Sequence, residues 1–146
     1  MTRAQVLYLH VCVALTALTG VAFAWMKYGM HSDDEFSVVN HPLQPHMLSA
    51  HVVVAPFLVF AFGWIFGDHI WPRFRQTSWP RRASGIWSMT AILPMTLSAY
   101  LLQIATNEAL RKAMAIAHCV TSGVFVVAYV THLVMKPPRK APRPQD

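Results

Sequence analysis

Four apolar stretches, at approximately 5–27, 47–70, 86–105 and 110–134, alternate with polar, proline-bearing or basic segments. Each is close to the ~20 residues that cross a bilayer as an α-helix. The pattern predicts an all-α integral membrane protein, a four-transmembrane-helix bundle over 1–136 followed by a proline-rich basic tail at 137–146. Pro94 is expected to bend the third helix, with Ser88, Thr90 and Ser98 satisfying backbone groups locally. The turn at Asn107 and Glu108 is so short that the third and fourth helices must be antiparallel neighbours. The segment 42–45 reads as a rigid lead-in along the interface to a second helix that begins near Met47.

Composition supports the same class. Of 146 residues, 55% are hydrophobic and only 12% charged, and mean hydropathy is positive; a soluble domain of this size is not so apolar. Four spans leave no room for a water-soluble catalytic domain. The chain is therefore expected not to be an enzyme by itself, and any catalytic head group belongs to another chain.

The charges define a topology. Arg3, Arg73, Arg75, Arg81, Arg82, Lys136, Arg139, Lys140 and Arg143 fall on one side of the four spans. The other side has Lys27, Arg111 and Lys112 with the acidic Asp33, Asp34 and Glu35. The positive-inside bias puts both termini in the cytoplasm. The net charge of +6 is then orientation rather than a nucleic-acid footprint, and Pro137, Pro138, Pro142 and Pro144 make the basic tail a short extended one. A basic start followed by an apolar run and Ala22-Phe23-Ala24 resembles a secretory signal. The run is long enough to span, however, so an uncleaved first helix is expected.

Histidine carries the candidate chemistry. In the last run, His118 and His132 are fourteen residues apart, which places them about 40° apart around a helix and about 21 Å apart along it. Ser122, Phe125 and Tyr129, on the line between them, are of mixed size and form no uniform hydrophobic seam. The stripe suits two flat cofactors stacked through a membrane. His10 lies inside the cytoplasmic end of the first helix, with Ala14, Ala17, Val21 and Ala24 down its face and Gly20 nearby. Small residues there serve close helix packing or leave space for a porphyrin, and this helix alone does not decide between them. His51 lies inside the periplasmic end of the second helix. Helices one and three run outward, two and four inward, so His10 and His132 share a cytoplasmic level and His51 and His118 a periplasmic one. Intramembrane ionisable side chains are costly and face a bundle interior. Two pairs at two depths meet the requirement of two six-coordinate haems with bis-imidazole ligation.

Other histidines are set aside. His31, His41 and His46, in the 28–46 connection, lack a recognisable ligand spacing and read as solvated surface. His69 continues the line of His51 through Ala55, Leu58, Phe62 and Ile65, but eighteen residues put it roughly 27 Å away. It is expected at the membrane edge beside Asp68, Trp71 and Arg73, contacting a propionate or a quinone rather than iron. Trp71 and Trp79 suit interfacial anchorage. Cys12 and Cys119 belong to no C-x-x-C-H attachment site, so the haem would be b-type. They lie at different depths, which opposes a disulfide, and both read as small core residues.

With one histidine in helix one, one at the start of helix two and a pair fourteen apart in helix four, the chain resembles the di-haem cytochrome b subunits that anchor periplasmic formate dehydrogenases and nickel-iron hydrogenases. The stretches AHVVVAPFLVFAFGWIFGDHIWPR and LSAYLLQIA also resemble small bacterial cytochrome b domain proteins. The resemblance implies pairing of His10 with His132 and of His51 with His118, and quinone exchange near the cytoplasmic haem, where His69, Asp68 and Arg73 stand. The chain is shorter than those anchors and has no long segment for an iron-sulfur partner, so neither that partner nor its substrate carries over.

The expected function is electron transfer in a bacterial inner membrane, through two haems b, between a periplasmic redox protein and the quinone pool or another membrane complex. The chain would be part of a larger complex or a homo-oligomer. Propionates are expected to meet Lys27, Arg111, Lys112 or His46 at the periplasmic face and Arg3, Arg73 or His69 at the cytoplasmic face. The competing class is a non-haem structural or assembly subunit whose histidines hydrogen-bond between helices. A metal transporter would want intramembrane carboxylates beside the histidines, and only Asp68 comes near.

Overall fold

Thr2 starts the first helix by a reciprocal cap. Its hydroxyl accepts from the Gln5 backbone N–H at 3.2 Å while Gln5 Oε1 accepts from the Thr2 N–H at 2.7 Å, so two donors with no intrahelical partner are satisfied together. In the computed structural model, which describes residues 1–34, 36–75 and 82–135, helix α1 then runs Arg3–Ala24 and closes in a π-helical turn, Trp25–Gly29. Helix α2, Gln44–Ile65, passes into a second π-helical turn, Phe66–Ile70, and a one-turn helix α3, Trp71–Arg75. Helices α4, Arg82–Ile104, and α5, Glu108–Val134, complete the described chain. No strand occurs among the described residues.

Four helices are long and apolar enough to cross a membrane: Arg3–Gly29, Gln44–Arg75, Ala83–Ile104 and Glu108–Val134. The predicted spans match these to within three residues at every end but one, the second continuing to Arg75 and not stopping at 70. Helix α2 begins three residues before Met47, because Pro45 sits in its first turn, where a missing N–H costs no hydrogen bond. Residues 44 and 45 are thus helix rather than lead-in. Proline also lies inside α2 at Pro56 and inside α4 at Pro94. The serines beside Pro94 act as expected: Ser98 Oγ donates to the Pro94 carbonyl at 2.7 Å and Ser88 Oγ to the Ser84 carbonyl at 2.9 Å, returning donors to the backbone. The tail 137–146, Trp79, Arg81 and the Arg82 side chain lie outside the described residues.

The chain divides into two compact units, Met1–Trp71 and Pro72–Asp146, each built on a helical hairpin. In the first, α1 packs on α2 with Leu9, Cys12 and Val13 buried on one helix and Leu58, Ala61 and Ile65 on the other. Tyr8 stands edge-on to Phe60 and Trp64, with ring centroids at 6.0 and 5.7 Å. Such aromatic pairs contribute about 0.5–1.5 kcal/mol beyond their burial. At the open end of this hairpin the buried Gln5 donates through Nε2 to Asp68 Oδ2 at 3.0 Å.

In the second hairpin α4 buries Ser84, Ser88, Ala91, Met95 and Ser98, spaced by alternating fours and threes. That repeat keeps a seam of small residues against one antiparallel neighbour. The neighbour is α5, joined through residues 105–107, with Asn107 as N-cap accepting from the Leu110 N–H at 3.0 Å. The predicted antiparallel pairing of these two helices is what the structure has. Both hairpins leave large apolar side chains exposed, among them Leu18, Val21, Leu93, Ile104, Val127 and Val134. Surfaces of this kind suit lipid or a partner rather than water.

Candidate functional site

His51 projects from the second turn of α2 onto α1. Its Nδ1 lies 3.1 Å from the Thr16 carbonyl oxygen and 3.2 Å from Thr19 Oγ1. The Thr19 hydroxyl already donates to the Leu15 carbonyl at 2.7 Å, and a carbonyl has no proton to give. Nδ1 must therefore carry the hydrogen, and in the neutral ring Nε2 then holds the lone pair. The ring rests on Gly20: a Cβ there would stand 2.8 Å from His51 Cε1 and 3.1 Å from Nδ1. Only glycine admits this approach without a shift.

His118 on α5 repeats the arrangement against α4. Its Nδ1 lies 2.9 Å from the Met95 carbonyl oxygen, so Nδ1–H donates and Nε2 is again the unprotonated nitrogen. The same carbonyl accepts from Ser98 Oγ at 2.9 Å. Fourteen residues on, His132 Nδ1 lies 3.1 Å from Ser84 Oγ, and its ring passes 3.6 Å from where a Gly85 Cβ would be. Here the partner is a hydroxyl, which can accept or donate. Between the two histidines Phe125 and Tyr129 are buried and stacked, with ring centroids 5.9 Å apart.

His10 is half-buried two turns into α1. The line of small residues below it is not the hairpin's packing face, since Ala14 and Val21 are exposed. Helix α2 instead covers the side of α1 that carries Leu9, Cys12, Val13 and Gly20. Each hairpin thus holds histidine at two heights. His51 meets α1 at Thr19 and Gly20, nine or ten residues or about 15 Å beyond His10, while His118 and His132 are about 21 Å apart along α5.

The residues expected at the membrane edges are at helix ends. Asp68 is engaged by Gln5, which makes it first a tie between the ends of α1 and α2. His69 sits in the π-helical turn. The wider i→i+5 winding of that turn advances fewer degrees per residue than an α-helix, so His69 leaves the line of His51 on which uniform helical spacing had placed it. Arg3, Arg111 and Lys112 are exposed and Arg73 is half-buried. Lys27 lies over the rings of Phe23 and Tyr28, its Nζ 5.6 and 5.5 Å from their centroids. His41 accepts through Nδ1 from the Leu43 N–H at 3.1 Å, and His31 and His46 are exposed. Both cysteines are free thiols, but only Cys12 is buried. Cys119 is exposed and is not the core residue expected: one position after the inward His118, it is turned about 100° away from α4.

Sequence reasoning missed the residues that hold the imidazoles. Thr16 and Thr19 were not singled out, Gly20 was left undecided between close packing and porphyrin space, and the third helix was given no part in holding a histidine. The signal for α4 was present in the regular spacing of Ser84, Ser88, Ala91, Met95 and Ser98, a buried polar seam in a helix with no ionisable residue in its interior.

Among the described residues no three His, Cys, Asp or Glu side chains form a metal-binding group. Bis-imidazole ligation needs only two protein atoms, one on each side of a porphyrin, and His51 and His118 fit that need, since an imidazole whose Nδ1–H is held by a carbonyl can bind iron through Nε2. Comparison with protein families, with curated proteins and with solved structures finds no match for this chain.

Proposed function

We propose that this chain is an integral-membrane electron carrier that holds two haems b, one between His10 and His132 and one between His51 and His118. It would pass electrons between a periplasmic redox protein and the quinone pool or another membrane complex. The observation that carries the reading is the state of His51 and His118. Each gives its Nδ1 hydrogen to a backbone carbonyl of the adjacent helix, as iron-ligating histidines do. Ala14 and Val21, exposed below His10, leave room beside it for a flat ring. Bound haem supplies one-electron chemistry; the chain's residues orient the ligands and exclude water. The charge bias places both termini in the cytoplasm of a bacterial inner membrane. On that orientation Lys27, Arg111 and Lys112 serve periplasmic propionates, Arg3 and Arg73 the cytoplasmic ones, and Asp68 and His69 flank a quinone-side edge. The resemblance to di-haem cytochrome b subunits agrees with this, and the chain would work in a larger complex or as a homo-oligomer.

A second reading rests on the same hydrogen bonds. Nδ1–H bonds from α2 to α1 and from α5 to α4 also clamp each hairpin, which is all that a structural or assembly subunit without haem requires. A reduced-minus-oxidised spectrum of the purified full-length protein, with a pyridine haemochrome assay, separates the two. The expected result is a b-type spectrum and two haems per chain. A colourless, folded preparation would leave the structural reading, and one haem per chain would remove one of the pairs.

A further inference from the structure

The three imidazoles on the long helices with an Nδ1 contact across a hairpin are not held alike. Thr16 and Met95 offer His51 and His118 carbonyl oxygens, which accept and cannot donate. These two rings have one possible tautomer in place. His132 meets a hydroxyl, Ser84 Oγ, at 3.1 Å. Its tautomer is decided by which way that hydroxyl points. Ser84 is itself buried in the first turn of α4, and the ring's other close neighbour on that helix is Gly85, which offers no side chain. Ser84 Oγ is thus a side-chain atom that α4 brings within hydrogen-bond distance of His132 Nδ1.

We propose that Ser84 is a positioning residue that fixes His132 with its hydrogen on Nδ1, and that it makes the haem ligated by His132 differ in potential from the haem ligated by His118. The second part rests on the di-haem reading; the first does not. A hydrogen bond from Nδ1–H to a strong acceptor makes an imidazole more basic at Nε2, and a more basic ligand favours the oxidised, more positive iron. A hydroxyl is a weaker acceptor than a helix carbonyl whose dipole is aligned with its neighbours. His132 is then the weaker donor to iron, and its haem is the more easily reduced of the two.

The test uses the full-length protein and an equilibrium redox titration followed in the b-type absorption bands. The haem in question is the one that His132→Ala removes. Ser84→Ala deletes the acceptor, so that haem's potential rises by about a tenfold change in its one-electron reduction equilibrium, about 59 mV, while the other holds. Ser84→Thr keeps the hydroxyl and restores the original value. Ser84→Cys, close in volume with a weak acceptor, shifts in the same direction as Ser84→Ala and serves should the alanine variant not fold. Unmoved potentials, or equal shifts of both, would overturn the proposal. Were the wild-type protein colourless, the di-haem reading would fail by itself. The Ser84 assignment would then be judged by 15N NMR of labelled histidine in that same full-length chain. A proton on Nδ1 of His132 that moves to Nε2 in Ser84→Ala supports the assignment, and a ring nitrogen pattern indifferent to residue 84 refutes it.

Discussion

In the first hairpin a histidine ring is pressed against backbone. His51 leaves 2.8 Å between its Cε1 and the place a Cβ on Gly20 would take, and its Nδ1 is shared between a carbonyl and a threonine hydroxyl. In the second hairpin His132 has ordinary van der Waals room, 3.6 Å, beside Gly85, and a serine hydroxyl at Nδ1. The first histidine is pressed against its neighbour by shape, and the second is not. Two glycines in comparable contacts are therefore not equivalent, and neither are two histidines that a sequence displays in the same manner.

The largest effect that would break this comparison is loss of a whole haem. His51→Ala is expected to remove one of two haems per chain and His10→Ala the other, counted by pyridine haemochrome; His69→Ala, on the wider-wound turn, is expected to leave both. Loss of a haem in His69→Ala with retention in His10→Ala would give the cytoplasmic level to α2 instead of α1. Next comes the steric contrast. Gly20→Ala must displace the His51 ring or the backbone and should destabilise the folded protein by about 1–3 kcal/mol, with weaker occupancy of the His51 haem. Gly85→Ala, with room for its methyl, should cost no more than a few tenths of that. Thermal unfolding in detergent, followed by circular dichroism, compares the two, and equal midpoints would refute the distinction. The smallest effect is at the helix ends. Gln5→Ala removes half of the capping box and the partner of Asp68, for an expected loss of about 1–2 kcal/mol. Asp68→Asn, which still accepts from Gln5 Nε2, should lose less by the same measurement.

The fold was legible because apolar length and turn chemistry are local. Runs of about twenty residues and a two-residue polar break at Asn107 and Glu108 each act over a few residues. The spacing of His118 and His132 along one helix was legible for the same reason, since helical rise converts numbering directly into distance. What surrounds each ring was not. Gly20 and His51 are thirty-one positions apart and Ser84 and His132 forty-eight, so their meeting depends on which face of each helix the hairpin buries. The all-apolar composition of the spans conceals that face, because lipid-facing and protein-facing residues are alike. The face that His69 presents was hidden for a narrower reason: periodicity assumes one winding, and the π-helical turn changes it.

The two connections differ fivefold in length, and this bears on the order in which the molecule assembles. Residues 30–43 join the first pair of helices and residues 105–107 the second. On an ideal-chain scale, closing fourteen residues rather than three costs about 1.4 kcal/mol more in entropy. The longer connection recovers part of this through bonds of its own, from Asn40 Nδ2 to the Lys27 carbonyl at 2.8 Å and from the Asn40 N–H to Gln44 Oε1 at 3.1 Å. The helices made last during synthesis thus have the smaller entropy cost of pairing, and the pair made first offsets part of its larger cost through the bonds of Asn40.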